Sequence, residues 1–117
     1  MPRLLPERLA RPATGSREER SCPGHRAWVR RHHCIVPGCL VSQIECAHVR
    51  RGTDGGVGLK PSDRWTVSLC RTHHAEQHRV GEQEFERRYG LDLARLASEF
   101  ARLSPHRRQL LSDTSEP

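Results

Sequence analysis

A chain of 117 residues with 34% hydrophobic content and five aromatic side chains has room for one domain and little material for its core. Domains this poor in apolar residues need a staple, and five cysteines, an odd number, exclude a complete disulfide framework. No apolar run resembles a signal peptide or could span a membrane, so the expected setting is reducing cytoplasm, where clustered Cys and His mean metal.

The formal net charge is +6 and its placement is uneven. Residues 1–51 carry ten arginines against Glu7, Glu18, Glu19 and Glu45, whereas residues 52–117 balance ten basic against ten acidic side chains. An excess of arginine on one part of a chain suits a polyanion, because guanidinium binds phosphate in bidentate fashion. The expected partner is therefore nucleic acid. Arg30, Arg31, Arg50, Arg51 and Lys60 are the candidate contacts.

Residues 1–20, with three prolines and few bulky apolar groups, read as a flexible basic arm. Residues 21–33 open on a Pro23-Gly24 turn and continue as a short basic helix anchored by Trp28 and Val29. Cys22 and His25 have a two-residue gap and could form half a metal site, but no second half follows nearby. His32 and His33 read as solvated or phosphate-facing.

Cys34 and Cys39 flank a Pro37-Gly38 turn that folds the chain back, so both sulfurs can meet one ion in a zinc-knuckle arrangement. Residues 40–49 read as a strand with a loose start, on which residues 44, 46 and 48 share a face. Residues 50–60 form a loop with four glycines. It lacks the Gly-x4-Gly-Lys-Ser/Thr of a phosphate-binding loop, since Lys60 is followed by Pro61. Residues 64–69 alternate as a second strand and place Trp65, Val67 and Leu69 on one side.

The strand delivers the chain to Cys70-Arg71-Thr72-His73-His74-Ala75-Glu76-Gln77-His78, the densest metal-ligating stretch. At about 100° per residue, Cys70 and His73 can close on one ion from a helix start, while the i, i+4 pair His74 and His78 looks in another direction. Thr72 is a plausible N-cap for this helix, and Gly81 is its stop. A shorter helix from Glu82 ends at Gly90. Asp92 caps a longer one, whose Leu93, Leu96, Ala97, Phe100 and Leu103 recur at helical spacing and should cover the core. Residues 104–117 read as a flexible tail.

The pieces assemble as an α+β fold with residues 21–103 as its domain: a zinc knuckle, a ββα unit and extra helices. Cys34, Cys39, Cys70 and His73 form a Cys3His set, closed and therefore structural, for Zn2+. Cys46 is the competing ligand for one of those places.

Ala47-His48-Val49, the glycine loop and Leu69-Cys70-Arg71-Thr72-His73-His74 together resemble the HNH, or His-Me finger, endonucleases. His48-Val49-Arg50, residues 58–63 and residues 74–78 look closer still to the zinc-stapled phage and prophage type, including RecA-dependent recombination-enhancement nucleases. The resemblance implies a ββα-metal domain and a metal-dependent DNA endonuclease acting in the cytoplasm. DNA, single-stranded or recombinase-coated forms included, would be its partner. His48 would be the general base, suited by an imidazole pKa near 6.5. A single divalent ion, Mg2+ or a similar cation, would lie on His74 and His78 and neutralise phosphate charge. The sequence departs from the family at Ala47, where most members carry an Asp or His ligand, so His48 itself, Asp63 or another group must complete the shell. Asp63 is also the nearest candidate for the family's central Asn. The alternative class is a non-catalytic zinc-finger module that binds nucleic acid or a protein partner.

Overall fold

The computed structural model describes residues 20–53 and 61–111. The predicted arm up to residue 19, the glycine-rich part of the loop with Lys60, and residues 112–117 lie outside the described residues.

Helix α1 spans Pro23–Val29, with proline in its first turn, where the missing N–H costs nothing. Strands β1 (Ile44–His48) and β2 (Thr66–Cys70) pair antiparallel, with Ile44 opposite Cys70 and His48 opposite Thr66. Helix α2 (Arg71–Val80) follows β2 without a linker, then α3 (Glu82–Tyr89), α4 (Leu93–Leu103) and a last short helix α5 (Arg107–Leu110). The result is a small α+β fold built round a two-stranded sheet. No helix among the described residues is long and apolar enough to cross a membrane.

All five residues of β2 are buried, because helices pack over the narrow sheet and leave neither face to solvent. Two of them are polar and each has a partner: Thr66 Oγ1 donates to the Asp63 carbonyl at 2.9 Å and Ser68 Oγ to that of His33 at 2.6 Å. Ala47, Val49, Val67, Leu69, Phe85, Leu93 and Ala97 complete a core of modest size. Residues 40–43 are exposed and stay outside the sheet, so the first strand begins four residues later than its sequence pattern suggests.

Helix α2 starts two residues earlier than a Thr72 cap predicts. Its N-cap is Cys70, whose sulfur accepts the His73 N–H at 3.4 Å from an extended backbone. Asp92 caps α4 as its sequence suggests. The buried stripe of α4 runs through Leu93, Ala97 and Ala101, and Leu103, expected in the core, is 60% exposed. At about 100° per residue, Leu103 falls well round from the centre of that stripe, and Ala101 takes the inward place.

The chain does not leave the domain at residue 104. Ser104 is fully buried, and its hydroxyl meets His25 Nδ1 at 2.9 Å. The Gln109 side chain reaches the Ser21 carbonyl at 3.5 Å, and the ring of His106 lies over Gly24, close enough to collide with any Cβ there. His32, expected in solvent, packs its ring on Trp28 and Phe100 and bonds the Trp28 carbonyl at 2.9 Å.

His25 is fully buried, and burial lowers its pKa to about 4, with Asp63 opposing and His106 and His32 reinforcing the shift. The unfolded chain binds this proton near pH 6.5 and the folded chain does not until about pH 4. The stabilisation is therefore complete above pH 6.5 and lost as pH falls toward 4, by roughly 3 kcal/mol. Denaturant unfolding of His25→Asn should show a correspondingly shallower loss of stability between those pH values than wild type. Parallel slopes would contradict this.

Candidate metal centre and adjoining cleft

Two sulfurs come from the turn after α1. The turn needs Gly38, whose φ of 81° lies in the left-handed region, and the Cys39 N–H closes it on the Val36 carbonyl at 3.0 Å. Ile35 N–H donates to the Ser68 carbonyl and Arg71 N–H to that of Gln43, both at 3.0 Å, which stitches the turn to β2. Cys70 at the end of β2 and His73 in the first turn of α2 supply the remaining donors.

The ligand atoms of Cys34, Cys39, Cys70 and His73 all lie within 4.8 Å of one another, a set able to hold a metal ion. Cys39 Sγ and Cys70 Sγ are 3.8 Å apart, and His73 Nδ1 stands 3.5 Å from Cys34 Sγ and 3.2 Å from Cys70 Sγ. The His73 ring is held edge-on against Tyr89 and Phe85. Burial pushes the Cys34 thiol up to about 11, whereas a backbone amide at Val41 draws Cys39 down. Clustered sulfurs of this kind repel one another as thiolates, so a cation is the partner that lets them ionise together.

Cys46 does not join this set. It lies on the face of β1 shared with His48, bonded to Thr66, and burial raises its pKa. Cys22 and His25 are not a half-site either. The Cys22 sulfur and the His25 Nδ1 are engaged with Gln109 and Ser104.

On the other side of α2 lies a cleft of about 1070 Å3, with Arg26, Arg30, Arg50 and Arg51 on it and His48, His74 and His78 within it. His48 Nε2 meets Asp63 Oδ1 at 2.8 Å. Asp63 Oδ2 accepts the Cys22 N–H at 2.7 Å and the Arg26 guanidinium. Burial alone would raise the Asp63 carboxyl, but the bonds from His48, Cys22 and Arg26 outweigh it and hold it at about 2. An ionised Asp63 only accepts, so in neutral His48 the proton sits on Nε2 and Nδ1 keeps a free lone pair.

His74 Nδ1 meets Glu45 Oε1 at 2.7 Å, and His74 Nε2 lies 3.3 Å from His78 Nε2. With Nδ1–H donated to Glu45, His74 turns an Nε2 lone pair toward His78. At that spacing a His78 Nε2–H donates to it, so the two rings are linked one turn apart on α2.

Asp63 was expected beside these two histidines as an ion ligand. It is instead sequestered, 4% exposed, by His48, Cys22 and Arg26, and Glu45 is the carboxylate at His74. Strand parity points to Glu45, which shares the face of β1 carrying the fully buried Ala47. Arg26, also missed in the sequence, lies one turn from Arg30 on α1. Among the described residues Arg31 is not on the cleft. Arg51 pairs with Glu86 at 3.0 Å, and the backbone amides of Arg50 and Arg51 both donate to Glu82, at 2.8 and 2.9 Å.

A small α+β domain with a Cys3His cluster beside a basic, histidine-lined cleft is the class that these elements define. The chain belongs to the family described as protein of unknown function (DUF968), which matches residues 9–103. No curated protein and no solved structure matches it.

Proposed function

We propose that the domain is a metal-dependent DNA endonuclease of the HNH, His-Me finger type, its ββα-metal core stapled by a structural zinc ion. The observation that carries this reading is the shared cleft, in which His48, fixed by Asp63, stands with the His74 and His78 pair under four arginines. The zinc assignment is supported by the donor set and its edges. Zn–S of about 2.3 Å and Zn–N of about 2.0 Å in a tetrahedron require roughly 3.8 Å between sulfurs and 3.5 Å from sulfur to nitrogen. Cys39 to Cys70 and Cys34 to His73 meet those lengths at 3.8 and 3.5 Å.

His48 Nδ1 accepts a proton from the water that attacks the phosphodiester, Asp63 steadies the resulting imidazolium, and the P–O bond to the leaving sugar oxygen breaks. Arg26, Arg30, Arg50 and Arg51 draw the strand into the cleft. His74 and His78 would hold a divalent ion, which would supply neutralisation of the charge on the phosphate and the leaving oxygen. Glu45, through His74, takes the place of the acidic group that most family members carry at the position of Ala47.

One observation favours a second reading, a non-catalytic zinc-finger module for nucleic acid or a protein partner. Ala47 is fully buried and offers no ligand. Plasmid nicking in Mg2+ or Mn2+ separates the two. Wild type should convert supercoiled to open circular DNA, and His74→Ala should do so roughly a hundredfold more slowly, since a catalytic ion contributes several kcal/mol. Zinc-loaded wild type as inert as the variant would favour the binding module.

A further inference from the structure

Gln77 is the one residue of α2 that is buried, at 3% exposure. Among the described residues, neither its Oε1 nor its Nε2 has a hydrogen-bond partner. Its side chain nevertheless lines the cleft, together with His48, His74, His78 and Arg26. An interior amide left unpaired opposes folding, and an aliphatic side chain would serve the fold better at this position. The unmet donors and acceptor thus point to something that enters the cleft.

The surroundings say what that is. Glu45 and Ala47 share one face of β1, Glu45 meets His74 of α2, and Ala47 closes that face with a methyl group. Gln77 is the uncharged polar group that α2 turns inward, beside two histidines and beneath Arg26, Arg30, Arg50 and Arg51. Arg26 is paired with Asp63 and Arg51 with Glu86, but Arg30 on the cleft wall still favours an anion. A neutral amide can donate to that anion without repelling a cation held by the histidines.

We propose that Gln77 is a substrate-contacting residue, its Nε2 donating to a non-bridging phosphate oxygen of a bound DNA strand and its Oε1 accepting from water. The identity of the ligand as DNA rests on the nuclease reading above. A base edge is the competing ligand within DNA, because Gln pairs bidentately with adenine.

The test uses zinc-loaded wild type, Gln77→Met and Gln77→Glu. Fluorescence anisotropy is measured without divalent ions on labelled oligothymidylate and on a mixed-sequence duplex, with thermal unfolding of the same samples. Gln77→Met should unfold at the wild-type temperature or above it, yet bind both DNAs about tenfold more weakly, the lower end for a hydrogen bond to a charged group. Gln77→Glu should bind more weakly still, because its carboxylate faces phosphate. Unchanged affinity in Gln77→Met with a melting point lowered by several degrees would assign the amide to the fold and overturn the contact. Weakening confined to the adenine-containing duplex would overturn the phosphate assignment, and a wild type that binds neither DNA would overturn the proposal altogether. Nicking on the same samples reads the nuclease separately: a wild type that binds without cutting overturns that reading, while a tenfold loss in Gln77→Met still supports the contact.

Discussion

If the Cys3His set holds the proposed zinc ion, a Cys34→Ser variant should lose that ion and its cooperative unfolding transition together. Cys34, Cys39, Cys70 and His73 tie three separate segments, the turn after α1, the end of β2 and the start of α2. The Cys70 sulfur also caps α2, so one atom sets both the cluster and the helix start. The apolar core between these segments is small and includes Cys34 and Cys70 themselves. Structural zinc contributes on the order of 10 kcal/mol in small modules, comparable to the 5–15 kcal/mol that holds a typical domain together. Removing one thiolate should therefore cost most of the stability. Circular dichroism melting, paired with colorimetric zinc release by a chelator, reads both losses on one sample. A Cys34→Ser protein that melts cooperatively with its zinc retained would remove Cys34 from the ligand set.

What was legible in the sequence was local chemistry. The Pro37-Gly38 turn between two cysteines, and a second Cys/His pair where a strand meets a helix, name four donors that converge. Gly81, Gly90 and Asp92 mark helix ends through backbone conformation and capping, which depend on immediate neighbours. Long-range partnerships were not legible. His48 and Asp63 are joined across the strand connection, and Asp63 is held from α1 by Arg26 and the Cys22 amide, an arrangement with no periodicity to betray it. The return of residues 104–111 is the sharpest case. Ser104 meets His25 from 79 positions away, and a polar, charged segment gives no hydrophobic signal that it will pack back against the domain.

The pairing of His48 with Asp63 leads to the last expectation. His48→Ala should slow plasmid nicking by about 10²–10⁴-fold, the usual contribution of a positioned general base. Asp63→Asn should approach that loss although Asp63 touches no water or phosphate in the proposed chemistry. The carboxyl, held at about 2, stays ionised at any pH at which the domain works, so it always accepts from His48 Nε2. Asparagine carries no charge to steady an imidazolium, and its NH2 can turn toward Nε2, which would move the ring proton to Nδ1, the nitrogen needed as base. The double variant should then be little slower than His48→Ala alone, because both changes disable one unit. Unfolding tells the two singles apart. Asp63 also holds Arg26 and the Cys22 amide, so Asp63→Asn should lower the melting temperature more than His48→Ala does. Multiplicative losses in the double variant would mean that Asp63 acts on the fold alone, and unimpaired nicking by His48→Ala would take the base away from His48.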